Sequence, residues 1–179
     1  MNLFRTLRGI ALFSLAVVSI SSCSTPPDFP DKPKIEVAGV TVFRLGGNFG
    51  LRDSIEIALK FQDGNGDLGL DDTDNTGPFA FNGGRNRYYQ NYFLQPYYKN
   101  RQGIFVPLTP RGDANGRFVR LTKPDAKAGP LEGTLRRALP ISLDTAFAYR
   151  PGTEYKFEVS IADRSLNESN VVTTNTVRL

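Results

Sequence analysis

Oxygen-bearing side chains separated by glycines carry the most definite chemistry in this chain. They recur at Asp63, Asn65 and Asp67, with a glycine after each of the first two. This spacing lets one tight loop direct three side chains at a common centre, as hard cations such as Ca²⁺ require. Asp71 and Asp74 follow where such a loop would supply its later ligands. We therefore predict a calcium site on residues 63–74, which we call the acidic loop.

The acidic loop resembles the calcium loop of EF-hand proteins only in part. Leu68 replaces the glycine of the sharp turn, Asp74 replaces the bidentate glutamate, and the flanking sequence predicts strands rather than helices. The sequence therefore does not predict a true EF-hand.

Charge favours a bound cation independently of spacing. Residues 61–84 hold five aspartates and no lysine, arginine or glutamate, so no neighbour in the sequence offsets their repulsion. The alternative is a solvated turn, because Asp, Asn and Gly are also the residues that turns prefer.

Alternating apolar residues predict the strands that must position this loop. Residues 54–61 place Ile55, Ile57, Leu59 and Phe61 on one face, and residues 155–162 repeat the pattern. Weaker strand candidates, separated by Gly and Pro clusters, are residues 35–45, 88–99, 104–108, 117–121, 131–139 and 171–179. Short strands without helices predict an all-β fold, an antiparallel β-sandwich with a long inserted loop after the second strand.

Residues 151–170 resemble the last two strands of fibronectin type III and related immunoglobulin-like domains. In those folds a tyrosine near the start of the penultimate strand hydrogen-bonds back to the preceding corner, and Tyr155 fits that position. The resemblance also implies that the loop after the second strand and the loop before the last strand share one pole. We therefore expect Asp163 or Asn167 either to complete the ion shell or to clamp the acidic loop, with Arg164 as a counter-charge.

The first residues have the order of a bacterial lipoprotein signal. Arg5 and Arg8 precede a short apolar run, and small residues lead to Cys23, the only cysteine of the chain. The segment ending at Cys23 resembles a lipobox, which implies cleavage after residue 22 and covalent diacylglycerol and N-acyl chains on Cys23. Residues 23–34 are proline-rich and are predicted to form a tether, with one domain over residues 35–179.

The whole chain resembles the small immunoglobulin-like lipoproteins of Bacteroidota outer membranes. The lipobox, the acidic loop and the residues around Tyr155 carry this resemblance. It implies an outer-membrane, lipid-anchored location, at the periplasmic or the cell-surface face, because Ser24 rather than aspartate follows the cysteine. It implies no reaction.

A cluster of aromatic residues forms a second candidate site. As a strand, residues 88–98 would present Tyr89, Phe93 and Tyr97 on one face, together with amide side chains. Such a strip suits stacking on a polysaccharide or docking of a protein partner. The alternative is that the sandwich and the inserted loop cover both faces.

Composition excludes several function classes. The chain has no histidine, and Cys23 is assigned to the anchor, so triads and imidazole metal sites are excluded. The net charge of +4 includes Arg5 and Arg8 of the signal and forms no basic run, so nucleic acid is not an expected partner. Carboxylate hydrolysis is the one remaining chemistry, and we expect no apolar pocket to raise an aspartate pKa in the acidic loop.

Three functions from different classes remain open at this point. The first is a non-enzymatic, calcium-stabilised interaction module that serves an outer-membrane protein complex. The second is a glycan-binding lipoprotein that uses the aromatic residues, and the third is a carboxylate-dependent hydrolase. The sequence favours the first.

Overall fold

A computed structural model describes residues 26–45, 52–109, 114–142 and 149–179. The predicted signal peptide, Cys23 and the first residues of the tether lie outside the described residues. Within the described ranges no helix has the length and apolar character needed to cross a membrane.

Strands dominate the described chain, and no α-helix occurs in it. Period-two alternation explains the long strands, because it buries one face of each. The strands are β1 (Lys34–Leu45), β2 (Arg52–Asp63), β3 (Tyr92–Lys99), β4 (Phe105–Pro107), β5 (Leu131–Ser142), β6 (Glu154–Ile161), β7 (Val172–Thr173) and β8 (Val177–Arg178). Two 3-10 turns, Gly77–Phe79 and Arg87–Tyr89, lie between β2 and β3.

The strands form two antiparallel sheets that pack face to face, so the predicted all-β sandwich is confirmed. One sheet has the order β1-β2-β5, and the other has the order β4-β3-β6-β7, with β8 also paired to β6. The core between them contains Ile55, Ile57 and Leu59 from β2 and Phe157 and Val159 from β6. Fully burying one such apolar side chain contributes about 1.5–3 kcal/mol.

The predicted corner tyrosine makes the expected contact. Tyr155 is buried, and its hydroxyl oxygen accepts a hydrogen bond of 2.7 Å from the backbone N–H of Arg150. This bond fixes the turn that leads into β6, as the sequence of residues 151–159 predicted.

Three of the weaker strand predictions are wrong wholly or in part, since residues 171–179 also form two short strands, β7 and β8, rather than one. Residues 117–121 form no strand, because their backbone bonds the acidic loop instead: Leu70 N–H donates to Phe118 O at 3.1 Å, and Leu121 N–H donates to Leu68 O at 3.1 Å. Residues 88–91 precede β3, since Tyr88 and Tyr89 belong to a 3-10 turn.

The connections bring distant residues to one pole of the sandwich. Residues 64–91 leave the end of β2 and cross to the start of β3, which pairs with the end of β6. A single antiparallel bridge joins Leu68 of the acidic loop to Asp163, just beyond β6. The predicted neighbourhood of these two loops is confirmed.

Candidate metal centre

Three aspartates from two loops form one carboxylate cluster at this pole. Asp63 ends β2, Asp67 lies four residues further on, and Asp163 follows β6. One carboxylate oxygen from each lies within 4.8 Å of the other two. We call these residues the aspartate triad. Calcium–oxygen distances of 2.3–2.6 Å place ligand oxygens up to about 5 Å apart across one ion, so the spacing fits a single cation.

Hydrogen bonds hold the triad but leave two of its oxygens without a partner. Asp67 N–H donates to Asp63 Oδ2 at 3.0 Å, and the Ser165 hydroxyl donates to Asp67 Oδ2 at 2.7 Å. Asp63 Oδ1 and Asp67 Oδ1 are both buried, and no described residue donates a hydrogen bond to either. The residue Asp63 is 0% exposed. A buried carboxylate oxygen without a donor is costly unless a proton or a cation satisfies it.

Asp163 is held in place by the loop that carries it. Both of its oxygens accept from Asn167, one from the backbone N–H at 2.7 Å and one from the side-chain amide at 2.8 Å. Each oxygen keeps a second lone pair for a metal ion. Of the two residues expected at this pole, Asp163 belongs to the triad, and Asn167 orients the Asp163 carboxylate.

Burial changes the acidity of the triad. The pKa of Asp63 is raised from its ordinary value of 3.8 to about 7, chiefly by burial and also by the charges of Asp67 and Asp163. Burial also raises the pKa of Asp163, against the opposing effect of the Asn167 hydrogen bonds. The expectation that no aspartate of the acidic loop has a raised pKa is therefore wrong.

No arginine or lysine forms an ion pair with the triad in the described part of the chain. Two carboxylates 4.8 Å apart repel by about 3.5 kcal/mol at an effective dielectric constant of about 20. A divalent cation between them attracts both carboxylates and makes the net electrostatic energy of the cluster favourable.

The later aspartates of the acidic loop belong to a different cluster. Arg164 forms an ion pair with Asp74 and lies 4.0 Å from Asp71, and Arg120 lies 3.4 Å from Asp71. Arg117 donates to the backbone oxygens of both aspartates at 3.0 Å. The structure therefore does not bring Asp71 and Asp74 into the triad.

Sequence reasoning missed two of the three arginines that surround Asp71 and Asp74. Arg164 was expected as a counter-charge, whereas Arg117 and Arg120 were not, because no local pattern links them to aspartates more than forty residues away. Asn65, also a predicted ligand, accepts a hydrogen bond from the Asp67 N–H at 3.3 Å through its side-chain oxygen. Its role as a metal ligand stays a prediction.

Glycines in the acidic loop allow other segments to approach closely. A Cβ at Gly66 would lie 2.4 Å from Gly129 O, and one at Gly69 would lie 2.2 Å from Val119 O. Both glycines have positive φ, +69° and +93°, which other residues rarely adopt. Leu68, the departure from the EF-hand pattern, is 0% exposed and packs in the core. The loop is thus anchored on both sides of Asp67.

The aromatic residues do not form one continuous strip. Phe93 is 6% exposed, and the Arg87 guanidinium lies 3.8 Å from its ring centroid. Tyr89 lies in a 3-10 turn against the Phe81 ring, and Tyr97 is half-buried with its hydroxyl donating to Glu158 at 2.8 Å. Phe93 and Tyr97 lie on one face of β3, whereas Tyr89 lies in the turn before it, and a binding role for these three residues stays a prediction.

Cavities of roughly 380–460 Å³ on the described surface are lined by other residues than the triad. A catalytic acid must reach its substrate, and Asp63 has no exposed surface. Its raised pKa is therefore that of an enclosed carboxyl group.

No protein-family model, curated protein or solved structure gives a significant match to this chain.

Proposed function

We propose that this protein is a non-enzymatic, calcium-stabilised interaction module, lipid-anchored at the outer membrane as an accessory subunit of a protein complex. One observation carries the calcium assignment: two buried, donor-less oxygens, Asp63 Oδ1 and Asp67 Oδ1, lie in a cluster completed by Asp163. Calcium takes carboxylate and carbonyl oxygens and accepts flexible geometry, which suits ligands from two loops.

We also propose that the sandwich is immunoglobulin-like, on the basis of its topology. The strand order β1-β2-β5 against β4-β3-β6-β7 corresponds to the A-B-E and C′-C-F-G arrangement of such sandwiches. The Tyr155 hydroxyl contact to the Arg150 backbone supports the same assignment. Domains of this type present loops at their poles to partners.

The anchor rests on the sequence around Cys23. A basic start, a short apolar run and small residues before the only cysteine support lipidation and export. An anchor with more than one acyl chain gives lasting membrane attachment, which suits an accessory subunit.

Calorimetric titration of the metal-free protein with Ca²⁺ tests the ion site. We expect binding of one ion per chain in the wild type and its loss in Asp163→Asn. Asp72→Asn is the matched control, because Asp72 lies exposed in the same loop outside the triad. Absence of binding heat in the wild type, or equal loss in the control, would contradict the site.

Co-purification tests the interaction role. The tagged protein is solubilised from membranes in mild detergent, with calcium or with a chelator, and bound proteins are identified by mass spectrometry. We expect a stoichiometric membrane-protein partner. Recovery of the protein alone under both conditions would contradict an accessory-subunit role while leaving the ion site intact.

A further inference from the structure

The segment before β1 packs on the acidic loop instead of extending freely from the domain. Gly64 N–H donates to Pro30 O at 2.9 Å. A Cβ at Gly64 would lie 2.3 Å from Phe29 O, so only glycine allows this approach. Phe29 is half-buried and Pro33 is buried. Part of the predicted tether, residues 23–34, is therefore docked on the domain.

Contacts to this segment and to the start of β1 come from the two loops that form the triad. Gly64 is the residue directly after Asp63. On the other loop, Asn170 accepts from Ile35 N–H and donates to Ile35 O, both at 2.9 Å, and this loop also carries Asp163. The start of β1 and the segment before it thus lie between two arms, each of which supplies a carboxylate to the triad.

We propose that cation binding at the aspartate triad locks residues 26–33 onto the domain and so sets the reach of the N-terminal anchor. This inference rests on the proposed function of the triad. A cation draws Asp63, Asp67 and Asp163 together and closes the two arms on the segment. Without it, carboxylate repulsion loosens the two arms, which the bridge between Leu68 and Asp163 still joins, and weakens the bond from Gly64 to Pro30.

The lock has a geometric consequence for a lipid-anchored protein. With Pro30 docked, seven residue-to-residue steps separate it from Cys23, a span of at most about 25 Å. Release back to Lys34 adds four residues and lengthens the span to about 39 Å. The cation therefore holds the pole with the triad closer to the anchor than the released chain would.

Nitroxide mobility near the docked segment tests the lock in the full chain in detergent. Cys23→Ser removes the native thiol, and Asp31→Cys places one label on an exposed residue of the segment. We expect calcium to lengthen the rotational correlation time of the label roughly threefold relative to a chelator, because a docked side chain loses its fast segmental motion.

Glycine variants separate docking from ion binding. Gly64→Ala should leave the label mobile with and without calcium while calorimetry still records binding. Gly39→Ala is the matched control, since nothing lies within 4 Å of its Cβ position, and it should respond as the parent does. If Gly64→Ala does not fold, Asn170→Ala releases the other arm and should also mobilise the label.

The outcomes distinguish this inference from the proposed function. If calorimetry records calcium binding but the mobility of the label in the parent does not change, the lock is overturned and the ion site is retained. Absence of calcium heat overturns both. Immobilisation by calcium that persists in Gly64→Ala and in Asn170→Ala also overturns the lock.

Discussion

The substitution Asp63→Asn should remove a pH-dependent loss of stability from the metal-free protein. The folded-state pKa of Asp63 is raised from 3.8 to about 7, chiefly by burial. The folded state therefore binds more protons than the unfolded state between these values. The stability that this group contributes is fully present below 3.8 and is lost as pH rises through about 7.

The magnitude follows from the same two values. Between about pH 5 and about pH 7 the free energy of unfolding of the wild type falls by about 1.4 kcal/mol per pH unit. By about pH 8 the total loss is therefore about 3 kcal/mol. For a domain of this size the melting temperature should fall by about 6–12 °C. The asparagine variant keeps an acceptor for Asp67 N–H and carries no titrating group at this position. Its loss of unfolding free energy over the same pH range should therefore be smaller by about 3 kcal/mol.

Thermal denaturation followed by circular dichroism measures both effects. Calcium at about one hundred times its dissociation constant should restore about 2.7 kcal/mol to the wild type at the higher pH and nothing to Asp63→Asn. Asp72→Asn should behave as the wild type. A variant that melts in parallel with the wild type across the pH range, or gains equally from calcium, would refute the reasoning.

Three further predictions concern Gly69, Tyr155 and Cys23. Gly69→Ala should destabilise the protein by at least about 2 kcal/mol in urea unfolding, since φ is +93° and its Cβ would contact Val119 O. The control Gly39→Ala should change stability by less than about 0.5 kcal/mol, and equal effects would contradict the close approach. Tyr155→Phe should cost about 1–3 kcal/mol by leaving the Arg150 N–H unpaired, against about 0.5 kcal/mol for Tyr97→Phe, and equal costs would speak against the corner. Cys23→Ser should abolish incorporation of an alkyne-labelled fatty acid, and labelling that persists would place the anchor elsewhere.

Sequence reasoning succeeded where a pattern was local and periodic. The alternation in residues 54–61 and 155–162 identified β2 and β6, because burial of one face imposes a period of two on any such strand. The resemblance around Tyr155 then located the shared pole and, with it, the meeting of Asp163 with the acidic loop.

It failed where the partners are remote in sequence. Asp71 and Asp74 have the spacing of ligands, yet Arg117, Arg120 and Arg164 reach them from distant segments. Charge counted over residues 61–84 cannot register such partners. The same limit hid the path of residues 117–121, whose extended backbone bonds a loop rather than a strand.

Proline content misled in a different way. The prolines of residues 24–34 predict a semi-extended tether that lifts the domain off the lipid surface. The structure docks Pro30 and Pro33 instead, through a carbonyl that accepts from Gly64 and through burial against the domain. Gly64 was the available signal, because a residue without a side chain leaves room for another backbone segment.

The most direct test of the central claim is a crystal structure grown with calcium, with anomalous difference density measured at the triad. The account predicts one ion peak within about 2.3–2.6 Å of an oxygen from each of Asp63, Asp67 and Asp163. Three carboxylates with no peak between them, or turned apart into solvent, would contradict it.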